Sequence, residues 1–186
     1  MEAALHDAGR VAAVRPGAIY GPFDESRERY FVDLVSRGIH ELPLPGRGQQ
    51  LFHRVAVERV GRAIVAALER APDGFWPCNA VDPYDWTFAG LAAEVGRLLD
   101  WEWEPVEVPF AEAEHPWGTA HPLVGDDRRL REVLGVPADE PDPRDALAET
   151  TSWLWEHRDE LPTLRPPRSE GSAGSGTTAI DADTHT

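Results

Sequence analysis

The sequence predicts an α/β fold whose strands run parallel, and three observations carry that expectation. Short apolar runs bounded by proline and glycine alternate with longer segments whose apolar residues recur at helical spacing. The first such run, residues 11–14, is apolar at every position, as a strand buried on both faces of a parallel sheet is. With 41% hydrophobic residues and seven tryptophans among 186 residues, the chain has the apolar mass for one substantial core.

Each element can be justified in chain order. Pro16 and Gly17 end the first strand, after which a loop is expected. In residues 26–37, Tyr30, Phe31, Leu34 and Val35 recur at helical spacing, and Gly38 supplies a C-terminal cap. Pro43, Pro45, Gly46 and Gly48 make a connector that is not expected to be helical. Residues 49–57 read as a strand with Phe52, Arg54 and Ala56 on one face. Residues 58–70 read as a helix on which Val60, Ile64 and Leu68 form a stripe.

Phe75–Ala80 reads as a short strand, and Thr87 as the cap of a helix over residues 88–99. Residues 102–108 read as another strand, followed by a loop rich in proline and histidine over 112–125. Residues 126–134 read as a helix stopped by Gly135. Asp142 caps the last helix, with Pro143 at its first position, and it runs to about Glu160. Residues 162–186 shift to Pro, Gly, Ser, Thr and Asp, which predicts a disordered acidic tail behind one domain over residues 1–161.

Composition excludes several functions. A net charge of −15 repels phosphate backbones, so nucleic acid is not an expected partner. No apolar run approaches the roughly 20 residues that span a bilayer, and the first ten residues do not read as a signal peptide. A single cysteine, Cys78, excludes an internal disulfide framework and fits a reducing cytoplasm, with burial as its expected role. All 18 basic residues are arginine, which suits either a high-GC genome or a salt-rich cytoplasm.

The segment RVAAVRPGAIYGP, residues 10–22, resembles the strand and active-site loop that open the second half of extended short-chain dehydrogenases, the NAD(P)-dependent epimerase/dehydratase family. The blocks that follow are similar to that family in the same order: HRVAVERVGRAIVAAL from His53, Trp86-Thr87-Phe88 with LAAEVGRLL, DDRRLREVLG, and DPRDALAETTSWLWEH. The resemblance implies the C-terminal part of a doubly wound Rossmann-like fold with a small α/β substrate-binding lobe. Residues 1–5 look like the end of the helix that carries the family's Tyr-x-x-x-Lys pair, which places that pair and the Gly-rich dinucleotide turn upstream of Met1. The sequence contains neither G-x-G-x-x-G nor any lysine.

The resemblance implies that Pro16 and Gly17 lie against the nicotinamide of NAD or NADP, where little side chain keeps backbone from a flat ring. It places Ala18, Phe52, Arg54 and Trp117 at the substrate. Ala18 stands where some sugar-nucleotide enzymes place an asparagine, and Phe52 where they often carry an arginine that holds the diphosphate. Arg54, two residues on along the strand, is then expected to reach the same pocket. Arg59 replaces a usual acidic residue, so a local charge interaction of the family is expected to be missing. His115 and His121 lack the spacing of a zinc site, and no metal is expected.

The implied function is the substrate-binding half of an epimerase/dehydratase or reductase, inactive alone. Its ligand is a small molecule, either a nucleotide sugar or another carbonyl or hydroxyl compound. The alternative is a non-catalytic binding or interaction protein of the same descent. A separately encoded N-terminal half is the expected partner of a split enzyme, and a mis-assigned start or a disrupted gene gives the same sequence. The first strand, lacking neighbours, predicts an isolated chain that is unstable, adhesive or oligomeric.

Overall fold

A computed structural model describes residues 11–24, 27–110 and 121–161. The expectations for residues 1–10, for the loop segment that holds His115 and Trp117, and for the tail from residue 162 lie outside the described residues. The described strands form three two-stranded parallel pairs. β1, Val11–Pro16, pairs with β5, Phe75–Ala80, so that Val11 faces Phe75 and Pro16 faces Ala80. β2, Ala18–Tyr20, pairs with β4, Arg54–Ala56; β3, Glu41–Pro45, pairs with β6, Glu104–Val108.

Helices connect the pairs, as parallel strands require. α1 is Arg27–Ser36, α2 is Val57–Arg70 and α3 is Phe88–Leu98; α4, Arg128–Glu132, is one turn, and α5, Pro143–Glu156, closes the chain. The expected caps are in place. The Thr87 hydroxyl accepts the Gly90 N–H at 3.1 Å, and the Asp142 carboxylate accepts that of Arg144 at 2.8 Å. Gly38, at φ 68°, ends α1 with its N–H donated to the Val35 carbonyl.

The strand read over residues 49–57 is β4 only over Arg54–Ala56, with Val57 already in α2, and three further elements differ from the sequence reading. Residues 18–20 are a strand rather than loop, because the chain steps at Gly17 from one parallel pair to the next. Residues 41–45 are a strand despite two prolines, since β3 pairs with β6 alone among the described strands and a proline needs no ladder partner for an N–H it lacks. The turn Gly46–Gly48 is a short 3-10 helix, with Gly46 and Gly48 at positive φ.

Two apolar clusters make the core. Tyr20, Phe31, Leu42, Phe88, Leu91 and Val95 fill one, between α1, α3 and the second and third strand pairs. Val55, Ala63, Ala66, Cys78, Leu130 and Leu134 fill the other, under α2 and α4. Cys78 is buried, as expected. The stripe of α2 is not as expected: its buried face is Arg59, Ala63, Ala66 and Ala67, while Ile64 and Leu68 stay exposed.

Candidate functional site

The corner between β1 and β2 is set by backbone contact. Gly17 donates its N–H to the Ala80 carbonyl at 2.9 Å and Ala18 donates to that of His53 at 3.0 Å. A Cβ at Gly17 would lie 2.5 Å from the His53 oxygen, inside any allowed contact, so only glycine lets the two strand pairs approach here. Beside this corner a groove of about 490 Å³ opens. Pro16, Gly17 and Ala18 form one wall, Phe52 and His53 the floor, and Leu123 to Gly125 the far side.

His53 is pinned at both ring nitrogens. Its Nδ1 accepts the Gly125 N–H at 2.8 Å, which leaves Nε2 to donate to the Asp82 carbonyl at 2.8 Å. The segment on the far side is further held by His53 N–H to the Leu123 carbonyl and Leu123 N–H to that of Leu51. The groove is therefore preformed by backbone pairing rather than by side chains alone.

Its charge is one-signed. Arg15 and Arg27 line it together with Asn79, and among the described residues no carboxylate does, in a chain whose net charge is −15. The Arg27 guanidinium lies 5.1 Å over the Phe52 ring, a cation–π contact, and its buried Nε has no hydrogen-bond partner among the described residues. A cationic fork with a donor left unused by the described residues, in a groove where none of them is acidic, is suited to a phosphate or diphosphate.

Four of the six residues named from the sequence meet in this groove: Pro16, Gly17, Ala18 and Phe52. Trp117 is outside the described residues. Arg54 is elsewhere, and the expectation that it reaches the pocket is corrected by its environment. It is fully buried, its Nε donates to Asp85 at 2.9 Å, its Nη1 meets Glu28, and its guanidinium lies between the rings of Tyr20 (4.6 Å) and Trp86 (4.9 Å). Both acidic partners come from other elements, which the strand's own alternation does not reveal.

Arg59 also departs from expectation. Its buried guanidinium pairs with Asp127 at 2.9 Å and donates to the carbonyls of Val81 and Pro137, tying α2 to the end of β5 and to the segments on both sides of α4. The charge interaction expected to be missing is replaced by another. Arg27 went unnamed in the sequence reading, although one signal pointed to it. A cation in the first turn of a helix opposes the helix dipole, which favours acids there, so it calls for a reason outside the helix.

The ionisable groups of the core are shifted by burial. The Tyr20 hydroxyl donates to Asp82 at 2.7 Å, and desolvation with the nearby Asp82 charge raises the phenol well above its usual range. Burial also raises Asp82, against the pull of its bonds from Tyr20 and the Ala56 N–H. Tyr20 is thus a neutral donor rather than a base. Glu28 is pushed up to about 8, first by desolvation and then by a hydrogen bond with Asp24, against the opposing pull of Arg54. One guanidinium facing both Glu28 and Asp85 leaves a buried net negative charge unless an acid keeps its proton, and Glu28 keeps it.

A pH dependence follows. A carboxyl whose folded-state pKa is raised binds its proton more tightly in the folded chain, so its stabilising effect is complete below the usual carboxylate range and is lost as pH rises toward about 8. The thermal midpoint should fall between about pH 5 and pH 8, and Glu28→Gln should flatten that slope. A slope unchanged in the variant would assign it to other groups.

Comparison with known proteins places this geometry in a fold. No protein-family model matches the chain, and no curated protein matches it. Solved structures do. A dTDP-glucose 4,6-dehydratase from Streptomyces venezuelae, solved with NAD, is similar at 23% identity and TM-score 0.68, over 83% of this chain and 47% of that one. A UDP-glucose 4-epimerase from Thermotoga maritima, with UDP-glucose, is similar at 22% identity and TM-score 0.63, over 81% of this chain and 47% of that one. RMD from Pseudomonas aeruginosa, complexed with NADPH, is similar at 17% identity and TM-score 0.62, over 79% of this chain and 48% of that one.

The chain has the α/β, Rossmann-like fold of these epimerases and dehydratases, in the part of it that the match covers. It spans about half the length of the solved structures it matches. Among the described residues, no group of His, Cys, Asp and Glu is placed to hold a metal, and no helix is long and apolar enough to cross a membrane.

Proposed function

We propose that this chain is the substrate-binding half of an NAD(P)-dependent epimerase/dehydratase and that its groove receives a nucleotide sugar. The observation that carries the proposal is the one-signed groove at the β1–β2 corner, where Arg27 lies over Phe52 and Gly17 presents bare backbone. Arg27, from α1, supplies from another element the cation that the family resemblance expects at the position of Phe52. Solved structures of this fold hold UDP-glucose, UDP-glucuronic acid and NAD, which supports the ligand class. Residues 1–161 form this half and residues 162–186 a separate tail.

The residues fit a nicotinamide ring only in part. Pro16 and Gly17 offer a flat surface with little side chain, whereas the chain has no Gly-rich fingerprint to cradle a pyrophosphate. The cofactor, when bound, accepts and returns a hydride on the sugar. This chain's residues then act on the substrate: Arg27 binds the diphosphate, and Phe52 and Leu123 exclude water from the groove. His53 fixes the far wall. None of the tyrosines can pair with a lysine, because there is none, and Tyr20 is committed to Asp82.

The purified 186-residue chain should therefore form no new nucleotide sugar from UDP-glucose or dTDP-glucose with either oxidised cofactor, as followed by chromatography of the sugars. Turnover by the chain alone would overturn the half-enzyme reading. Activity that appears on adding a dinucleotide-binding half supports it. The same groove filled by ligand, with no activity alongside such a half, supports the non-catalytic alternative instead.

A further inference from the structure

His53 stands half-buried on the floor of the groove, and its two ring bonds respond differently to a proton. A backbone N–H only donates, so the Gly125 N–H at 2.8 Å requires a bare lone pair on Nδ1. A backbone carbonyl only accepts, so the Asp82 oxygen at 2.8 Å requires the hydrogen on Nε2. Both bonds exist together only in the neutral ring. A second hydrogen, on Nδ1, sets two N–H groups head to head. The Gly125 bond then breaks, while the Asp82 bond stays and gains from the charge on the ring.

The bond that breaks holds a wall of the groove. Leu123 is fixed by the backbone of Leu51 and His53, and Asp126 and Asp127 by the Asn79 amide and the Arg59 guanidinium. Val124 and Gly125 lie between these anchors. Val124 is 68% exposed, so packing does little to hold it, and the Gly125 N–H rests on His53. A Cβ at Gly125 would lie 2.8 Å from a methyl carbon of Val81, so this close approach of backbone to ring is reserved to glycine.

Resting on the reading of the groove as a nucleotide-sugar site, we infer that His53 is a positioning residue that closes the far wall only while its ring is neutral, so that ligand affinity falls as the ring takes up a proton. Histidine side chains make that change between about pH 8 and pH 5. The ligand does not, because each phosphate of a nucleotide sugar carries one strongly acidic hydroxyl, ionised throughout this range. Among the described residues, the charged groups around His53 are these. Arg15 and Arg27 line the same groove and oppose a further positive charge. The Asp82 carboxylate is bonded to Tyr20 and the Ala56 N–H, Asp85 to Arg54, and Asp126 to Arg128. A bound diphosphate attracts a charged ring, but water in an open groove screens that attraction, whereas the Gly125 bond is lost outright. Glu28, behind Arg54, loses its stabilising effect as pH rises, so its dependence has the opposite sign.

The test is nuclear magnetic resonance of the full 186-residue chain without ligand across the histidine range, followed by UDP-glucose titrations at about pH 7.5 and about pH 5.5. The His53 ring nitrogens and the Gly125 amide proton should change together with one midpoint, the amide losing the downfield shift of a bonded proton. Affinity should be about fivefold lower at the lower pH, the size of one hydrogen bond. His53→Gln should flatten that ratio, since a carboxamide offers a donor and an acceptor and neither titrates. Glu28→Gln should leave the ratio in place.

A Gly125 amide that keeps its bond while the ring takes a proton, a ring that stays neutral throughout, or an affinity equal or higher at the lower pH overturns the inference. These three signals come from the wild-type chain and do not depend on a variant folding. UDP-glucose bound at neither pH overturns the substrate reading instead, and the ring and amide, observed without ligand, still decide whether the wall is released.

Discussion

Replacing Arg54 with methionine should cost about 3–5 kcal/mol of folding stability, the usual penalty for breaking a buried ion pair by removing one partner. The loss would be a large share of the total, since domains are stable by only about 5–15 kcal/mol. Arg54→Met leaves Asp85 and Glu28 facing each other in the core without a cation and removes the plane held between Tyr20 and Trp86. Lysine should not restore the full stability, because an ammonium cannot bridge two carboxylates in a fixed fork while stacking on two rings. Combining Arg54→Met with Glu28→Gln and Asp85→Asn should recover much of the loss, as a cluster made neutral no longer strands a charge. Urea unfolding monitored by tryptophan fluorescence measures all of these. An Arg54→Met chain as stable as wild type but unable to bind nucleotide sugar would restore the substrate role that the sequence suggested.

Arg27→Ala should do the opposite, weakening UDP-glucose binding tenfold or more while changing stability little. A hydrogen bond to a charged group contributes about 1.5–3 kcal/mol, and each 1.4 kcal/mol is tenfold in affinity. Arg27 is well placed to give that much, since its buried Nε has no partner among the described residues and its guanidinium already rests on Phe52. Arg27→Lys should fall between the two, keeping the charge but losing the planar fork. Raising the salt concentration should weaken wild-type binding more than that of Arg27→Ala, because the screened interaction is the one the variant lacks. Equal affinities for wild type and Arg27→Ala would remove Arg27 from the site.

Local signals in the sequence proved legible where one residue's chemistry decides the outcome. Thr87 and Asp142 cap their helices because a side-chain oxygen within a few residues of free N–H groups has a short search. Pro16, Gly17, Ala18 and Phe52 fall in one groove because the turn after β1 brings them there. What remained illegible depends on distant partners. Arg54 looked like a ligand residue from its strand alone, but Glu28 and Asp85, 26 and 31 residues away, make it a core residue. Arg59 gains Asp127 from 68 residues away. Strand β3 was hidden by Pro43 and Pro45, whose propensity argues against a strand and is overridden by pairing with β6. The stripe on α2 was read correctly as a pattern, but periodicity does not say which face is covered, and here the small alanine face is the buried one.

If the groove at the β1–β2 corner is the substrate half-site proposed above, it binds a nucleotide sugar by itself. The most direct measurement is a titration of UDP-glucose into the wild-type chain, followed by amide chemical shifts. Saturable binding without added cofactor is expected, with the shifts concentrated at Gly17, Ala18, His53 and Gly125 and reduced in Arg27→Ala. No saturable change at these amides, or changes confined to another surface, would contradict it.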